Sequence, residues 1–348
     1  MTFHSRPMQP KDVPECVEIV ASHPVTGPRY GRAIRHLQPA WLRLLDCEAK
    51  SAVVFESMNG AQKLICAIGV SLIVTDEFIR ELKTPPLVWI GPELATRLAG
   101  GDSPTLSQKR LQEGNSRGGL NLVCWEGCIR PEYETSAELH RALITAFIEA
   151  HRGFLWKEVI GSQAESAERI EWTVQTGGLV WDPDKAQYVD LSNLDAQKIA
   201  RKPHLIGIPR EMDARREKSW AASWIGSLFD YSPPQLGFSY SEQKLLLLAL
   251  AGEETDRELA ATLRLSLTTI KKMWLSIYGR VADRQPSIIP GGARAGTGAS
   301  ERGSEKRRHL LAYLREHPEE LRPVSHRLLA QSFRKNSARA KVVEDVSP

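Results

Sequence analysis

The chain has 348 residues, of which 42% are hydrophobic and 25% are charged, as in ordinary soluble globular proteins. This composition excludes a collagen-like, fibrous or wholly disordered protein, and the length is enough for about two domains. The longest apolar runs are shorter than the ~20 residues that cross a bilayer, and the polar N-terminus lacks a signal-peptide core. The sequence therefore predicts a cytoplasmic protein without a membrane partner.

The net charge of +4 is too small to attract nucleic acid over the whole surface, so the location of the basic residues along the chain is more informative about a nucleic-acid contact. Residues 301–348 contain eleven basic and seven acidic side chains, which accounts for the whole excess. The five cysteines are an odd number, which favours free thiols over a disulfide framework. Cys124 and Cys128 share one face of a predicted strand, but no second cysteine pair follows them. We expect buried thiols and no metal site.

Residues 1–191 mix strand-like alternation with helix-like spacing, which predicts an α+β domain. The first helix is expected at residues 10–21, because Val13, Cys16, Val17 and Val20 recur at helical spacing. Strands are predicted at residues 51–57, 63–75, 120–129 and 155–161, a hairpin at 179–182 with 187–191, helices at 136–150 and 165–175, and a loop at 99–119.

Residues 192–236 are predicted to form a connecting helix and linker. The helix is expected at 209–229, opened by Pro209, with an apolar stripe that includes Trp220, Trp224 and Leu228. Two interpretations stay open, because this stripe could pack on the first domain or belong to a signalling helix or the contact of a homodimer. Residues 285–303 are rich in glycine and predict a flexible linker, and residues 304–348 predict a basic helical tail.

Residues 237–284 predict three consecutive helices. The first begins near Ser241 and Gln243 and ends at Gly252. The second begins at Thr255, because a threonine followed three residues later by Glu258 forms a capping box. After a short turn, Ser266 is a suitable N-cap for a third helix. Two short helices with a tight turn between them predict a helix-turn-helix.

The third helix has the side chains of a DNA-reading helix. One face carries apolar residues at core spacing, and the other carries hydroxyl and cationic groups without an acidic residue. The candidate contacts on the helix are Ser266, Thr268, Thr269, Lys271, Lys272, Ser276 and Arg280. Alternatively, the charged face is only a solvated surface of a protein-interaction module.

These residues resemble the DNA-binding domain of the LuxR family of bacterial regulators. The resemblance rests on Ser241, Gly252, the run Asp256-Arg257-Glu258-Leu259-Ala260 and the run Ser266-Leu267-Thr268-Thr269-Ile270-Lys271. It implies that Thr269 and Lys271 contact phosphate or base, that Lys272 and Met273 face the groove, and that Thr255 lies near the DNA backbone. The chain departs from the pattern by an extra residue before Thr255 and by Arg264, where the family commonly has glycine.

The first domain resembles GCN5-related acetyltransferases in its element order and in its beginning, Ser5-Arg6-Pro7-Met8 and Asp12-Val13-Pro14. That resemblance implies a loop before the central helix whose glycines approach the pyrophosphate of acetyl-CoA. The corresponding residues 130–139 contain no glycine and three glutamates, which oppose phosphate binding. We therefore expect no cofactor and a domain that senses a ligand or acts as a scaffold. Glu126 as base and Tyr133 or Tyr188 as acid are the catalytic candidates.

Together these patterns predict an α+β N-terminal domain followed by an all-α helix-turn-helix domain. The predicted function is a bacterial transcriptional regulator whose partners are double-stranded DNA, a second copy of the chain and a small-molecule effector. The alternative is an acetyl-CoA-dependent N-acetyltransferase with an accessory helix-turn-helix.

Overall fold

The structure is a computed structural model that describes residues 3–59, 62–161, 177–190, 202–210, 225–252, 254–289 and 299–324. It combines helices with a mixed β-sheet and divides into two compact units, residues 1–230 and 231–348. The first unit contains the sheet, and the part of the second unit that is described is helical, in keeping with the mixed α and β content predicted from the sequence.

The described residues of the first unit form one eight-stranded sheet. Its strands are β1 Phe3–Pro7, β2 Lys50–Asn59, β3 Gln62–Val74, β4 Leu120–Ile129, β5 Trp156–Gly161, β6 Leu179–Asp182, β7 Gln187–Asp190 and β8 Ile206–Pro209. Their order in the sheet is β1-β2-β3-β4-β5-β8-β6-β7. β4 and β5 pair in parallel, and the other neighbours pair antiparallel. The parallel pairing joins Leu120–Val123 to β5, so the second half of β4 has no partner in β5.

Helices cover both faces of this sheet. They are α1 Val13–Ser22, α2 Thr26–Tyr30, α3 Ile34–Leu44, α4 Asp76–Lys83, α5 Ile90–Gly100, α6 Gln108–Ser116, α7 Ala137–His151 and α8 Gly226–Phe229. The apolar faces of α1, α3, α4 and α5 share one core with the sheet. Side chains of α6, α7 and α8 pack with the strands in two further clusters.

Two predicted elements of this unit are wrong in part, and residues 211–224 of the predicted helix at 209–229 lie outside the described residues. Residues 99–119 are not a loop throughout, because α6 forms where Ser107 accepts a hydrogen bond from the Arg110 amide and Leu111 is buried. Pro209 does not open a helix but ends β8, whose partner at that position is Glu158 of β5. The predicted helix at 165–175 lies outside the described residues.

The apolar stripe predicted as a dimer contact is only partly described. Leu228 is fully buried in α8, in the same cluster as Trp156 and Val159 of β5. The Leu228 side chain therefore packs within the first unit, as expected if the apolar stripe packs on the first domain. Trp220 and Trp224 lie outside the described residues.

A bulge in β4 changes which side chains share a face. Val70 of β3 lies opposite Glu126 and the next residue, Ser71, lies opposite Cys124, so Trp125 is an extra residue. The bulge reverses the alternation, and Cys124 and Cys128 consequently lie in cores on opposite faces. Their predicted common face is wrong. Among the described residues, no group of three histidine, cysteine, aspartate or glutamate side chains could hold a metal ion.

The second unit contains α9 Tyr240–Ala251, α10 Asp256–Leu263, α11 Leu267–Arg284 and α12 Ala299–Glu316. Leu310 and Leu314 of α12 are buried in the same core as the three preceding helices. Ile289, predicted as part of a flexible linker, is also buried there. The packed unit thus extends beyond the 237–284 segment that the sequence indicated, and the helical part of the predicted tail belongs to its core.

No helix in the described ranges combines the length and the apolar character needed to span a membrane.

Candidate nucleic-acid interface

α9 begins with a capping box at Ser239, two residues before Ser241. The Ser239 hydroxyl accepts a hydrogen bond from the Glu242 amide, and the Glu242 carboxylate accepts one from the Ser239 amide at 2.8 Å. Ser239 is the N-cap because it is followed three residues later by a glutamate, whereas Ser241 is an exposed residue inside the helix. The predicted start at Ser241 is therefore corrected by two residues.

α10 begins as predicted. The Thr255 hydroxyl accepts from the Glu258 amide, and the Thr255 amide donates to the Glu258 carboxylate at 2.9 Å. The helix ends at Leu263, and its C-cap residue Arg264 adopts the left-handed conformation with φ 57° and ψ 43°. That conformation explains why glycine is favourable at this position, since glycine adopts it without steric cost.

α11 has two different faces. Ile270, Trp274, Ile277 and Val281 are buried at helical spacing, as predicted. The N-cap Ser266 accepts a hydrogen bond from the Thr269 amide at 3.0 Å. Thr268, Lys271 and Lys272 are exposed, Thr269 is half-buried, and Met273 is half-buried against the core. Apart from Leu267, which is 37% exposed, the exposed surface of the first two turns is therefore hydroxylic and cationic.

Two of the predicted DNA contacts bind a side chain of another helix of the unit. The Ser276 hydroxyl donates to Glu242 of α9 at 2.9 Å, and a terminal nitrogen of Arg280 lies 3.5 Å from the same carboxylate. Burial opposes ionisation of Glu242, but hydrogen bonds from Ser239 and Ser276 and the charge of Arg280 hold its pKa below the usual value. Ser276 and Arg280 thus anchor α11 to α9.

Sequence reasoning missed a clamp provided by α12. One terminal nitrogen of Arg307 lies 3.1 Å from an Asp256 carboxylate oxygen, and the other donates to the Glu254 carbonyl at 3.0 Å. The guanidinium lies over the Trp274 ring, 4.6 Å from its centroid, and the Trp274 indole N–H donates to Asp256 at 3.1 Å. Arg307 therefore fixes the start of α10 against α11. No local signal could reveal this contact, because Arg307 and Asp256 are 51 positions apart.

A second missed residue is Leu275 on α11. Its side chain is 70% exposed, whereas the other large exposed hydrophobic residues of the described chain are between 37% and 40% exposed. Periodicity could have identified it, since an apolar residue interrupts the polar face of the helix.

The two catalytic candidates of the first unit have separate environments. Glu126 is 9% exposed, and its carboxylate accepts a hydrogen bond from the Tyr30 hydroxyl at 2.8 Å. That hydroxyl accepts in turn from the Trp125 indole N–H at 3.1 Å. Burial and the charge of Glu126 raise the pKa of Tyr30 well above its usual range. Tyr133 instead packs edge-on against the Phe3 ring. A buried carboxylate that is already bonded is poorly placed to accept a proton from a substrate.

Tyr188, the other acid considered, is also engaged. Its hydroxyl donates to Glu158 at 2.8 Å, and the same carboxylate oxygen lies 2.7 Å from the Lys83 ammonium group. Burial and the charge of Glu158 raise the pKa of Tyr188 far above its usual value. The three side chains form a network that joins α4 to strands β5 and β7.

The segment that precedes α7 is held by polar contacts with α1 and with the residue that follows α1. Arg130 lies 2.9 Å from Glu15, and Glu134 lies 3.0 Å from His23. The Ser136 hydroxyl caps α7 by accepting from the Leu139 amide. The cap uses one of the free amides of this helix terminus, and residues 130–139 contain no glycine that would let the backbone approach a ligand more closely.

The chain was compared with models of protein families and with curated proteins. No family model matches it, and no curated protein matches it.

Proposed function

We propose that the protein is a transcriptional regulator that binds duplex DNA through a helix-turn-helix formed by α10 and α11. The observation that carries the proposal is the division of α11 into a buried apolar face and an exposed face with Thr268, Lys271 and Lys272. A helix of this kind fits the major groove, where hydroxyl and ammonium groups meet phosphates and base edges.

The charges on α11 support the proposal that its exposed face contacts DNA. Neither Lys271 nor Lys272 has an ion-pair partner among the described residues, and the first acidic residue of the helix is Asp283, in its last turn. Two adjacent uncompensated cations favour a polyanion. The resemblance to the LuxR family adds weight, because it concerns the same positions.

The test begins with selection of bound sites from random duplex DNA by the full-length protein. The affinity for a selected site is then measured against salt concentration. Replacing Lys271 and Lys272 with alanine should lower the slope of log affinity against log salt by ~0.9 for each phosphate that the variant no longer neutralises. The matched control replaces Lys109 and Arg110, two exposed basic residues of α6, and removes the same charge elsewhere. If both double variants bind like the parent at every salt concentration, the proposal is wrong.

The first unit acts in this proposal as a sensor of a small molecule or as an assembly scaffold in a cytoplasmic regulator. Assembly as a homodimer is included because helix-turn-helix modules commonly bind paired half-sites. Sedimentation of the full-length protein, with and without its selected DNA, tests whether it forms a homodimer. Monomer alone in both samples would remove the dimer from the proposal.

The second candidate is an acetyl-CoA-dependent N-acetyltransferase with an accessory helix-turn-helix. It is favoured by the parallel pairing of β4 and β5 over Leu120–Val123 only, because the rest of β4 then borders an opening in the sheet. It is opposed by the hydrogen bond from Tyr30 to Glu126 and by the lack of glycine in residues 130–139. Calorimetric titration of the full chain with acetyl-CoA separates the two, since saturable binding would promote the enzyme.

A further inference from the structure

We infer that Leu275 contributes to base selectivity by contacting the C5-methyl group of a thymine in the major groove. The inference rests on the proposed function and assigns a specificity-determining residue within it. Three observations carry it: the exposure of Leu275, its place on the cationic face, and the surface that surrounds it.

Leu275 is exposed to a degree that the fold of the second unit does not require. Its 70% exposure exceeds the 40% of Leu265 and the 37% of Leu267, which flank the N-cap of the same helix. Single exposed leucines are common on protein surfaces, so exposure gains meaning only from position.

Leu275 lies on the face that carries the cations. It follows Lys271 by four residues and Lys272 by three, spacings that place side chains on one face of a helix. Thr268 lies seven residues earlier, again on this face. At ~1.5 Å per residue, Leu275 lies ~6 Å beyond Lys271 along the axis, which corresponds to about two base-pair steps of ~3.4 Å. If Lys271 contacts phosphate or base, Leu275 reaches neighbouring base edges.

The surroundings let this leucine approach the bases closely. Ser276, the next residue, is bonded to Glu242, so it does not compete for the groove. One turn further on, apart from its two chain neighbours and the backbone of its own helix, Gly279 has no atom within 4 Å of the place where a Cβ would lie. The helix surface beside Leu275 is thus low and open, and Leu275 is its most prominent apolar group.

The chemistry of the groove then identifies the ligand. The major-groove edges present hydrogen-bond donors and acceptors, and the thymine methyl is the apolar group among them. A leucine placed over a polar edge would remove water from it without offering a hydrogen bond, whereas over a methyl group it buries apolar surface on both sides. Burial of one methyl group is worth about a fourfold change in affinity.

The experiment compares thymine with deoxyuracil, which differs only by lacking the methyl group. Each thymine of a selected site is replaced in turn, and binding by the full-length protein is measured. With the parent protein, deoxyuracil at one or two positions should weaken binding about fourfold. With Leu275→Ala, thymine and deoxyuracil at those positions should bind equally well.

Two control variants make the result specific. Leu265→Ala removes another exposed leucine of this unit and should retain the thymine preference. Lys271→Ala should weaken binding to both DNAs by the same factor, since it acts on charge rather than on the methyl group.

The outcomes separate this inference from the proposed function. Selective DNA binding with no thymine preference at any position, or a preference that persists in Leu275→Ala, overturns the role of Leu275 alone. Failure to bind DNA at all overturns the proposed function and the role of Leu275 together.

Discussion

Replacement of Leu310 by alanine should destabilise the helices that carry the candidate interface, although residue 310 follows them by more than twenty positions. Leu310 is fully buried in α12 and belongs to the core that contains Leu245 and Ile277. The substitution removes buried carbon atoms and leaves a cavity, which costs about 2–5 kcal/mol in protein cores. A domain has a total stability of about 5–15 kcal/mol, so this decrease is a large part of it.

Native-state hydrogen exchange of the full-length protein, read by mass spectrometry, measures the destabilisation locally. The most protected amides of residues 245–249 in α9 should exchange at least ~30-fold faster in Leu310→Ala, since ~2 kcal/mol corresponds to that factor. The matched control is Leu265→Ala, where the leucine is 40% exposed. That variant should change stability by less than ~0.5 kcal/mol.

A different pattern would refute the reasoning. If Leu310→Ala accelerates exchange within α12 alone and leaves residues 245–249 as protected as in the parent, α12 is an independent tail. The sequence-based division at residue 284 would then describe the domain better than the shared core does.

Three further changes test the second unit. Arg264→Gly should raise stability by about 0.5–1 kcal/mol in urea unfolding, because glycine adopts the left-handed conformation found there without strain, and an unchanged or lower midpoint would contradict this. Glu242→Gln should make the free energy of unfolding depend less on pH. The pKa of Glu242 in the folded state lies below the usual 4.5, so the ionised carboxylate stabilises the fold above pH 4.5. This stabilisation is lost as the pH falls through the pKa of the folded state. Urea midpoints above and below that pH should therefore differ less in the variant than in the parent. Arg307→Ala should weaken protection of α10 amides by about 1 kcal/mol, because it removes the contacts with Asp256 and the Trp274 ring, and unchanged exchange would exclude the clamp.

The sequence by itself determined the elements that depend on near neighbours. The capping box of Thr255 and Glu258 and the N-cap Ser266 are interactions across three residues, so the residue types alone predicted where α10 and α11 begin. The buried stripe of α11 was predictable for the same reason, because its spacing follows from the pitch of the helix. The same rule identifies Ser239 as the N-cap of α9, because Glu242 follows it by three residues.

Tertiary structure alone decided the contacts between distant segments. The pairing of Ser276 and Arg280 with Glu242, and of Arg307 with Asp256, joins side chains whose local sequences do not indicate one another. The same holds for residues of α12, whose charged sequence resembles a solvated tail while Leu310 and Leu314 complete the core.

The sheet also contains features that only the tertiary structure decided. The bulge at Trp125 separates Cys124 from Cys128 because one extra residue reverses the alternation of faces, and the register that creates it exists only once β3 lies beside β4. β8, four residues long, is likewise a strand because β5 and β6 offer it hydrogen-bonding partners. Interactions between neighbouring residues determine where a helix or strand can begin and which of its faces is apolar. Segments distant in the sequence decide what each apolar face is buried against.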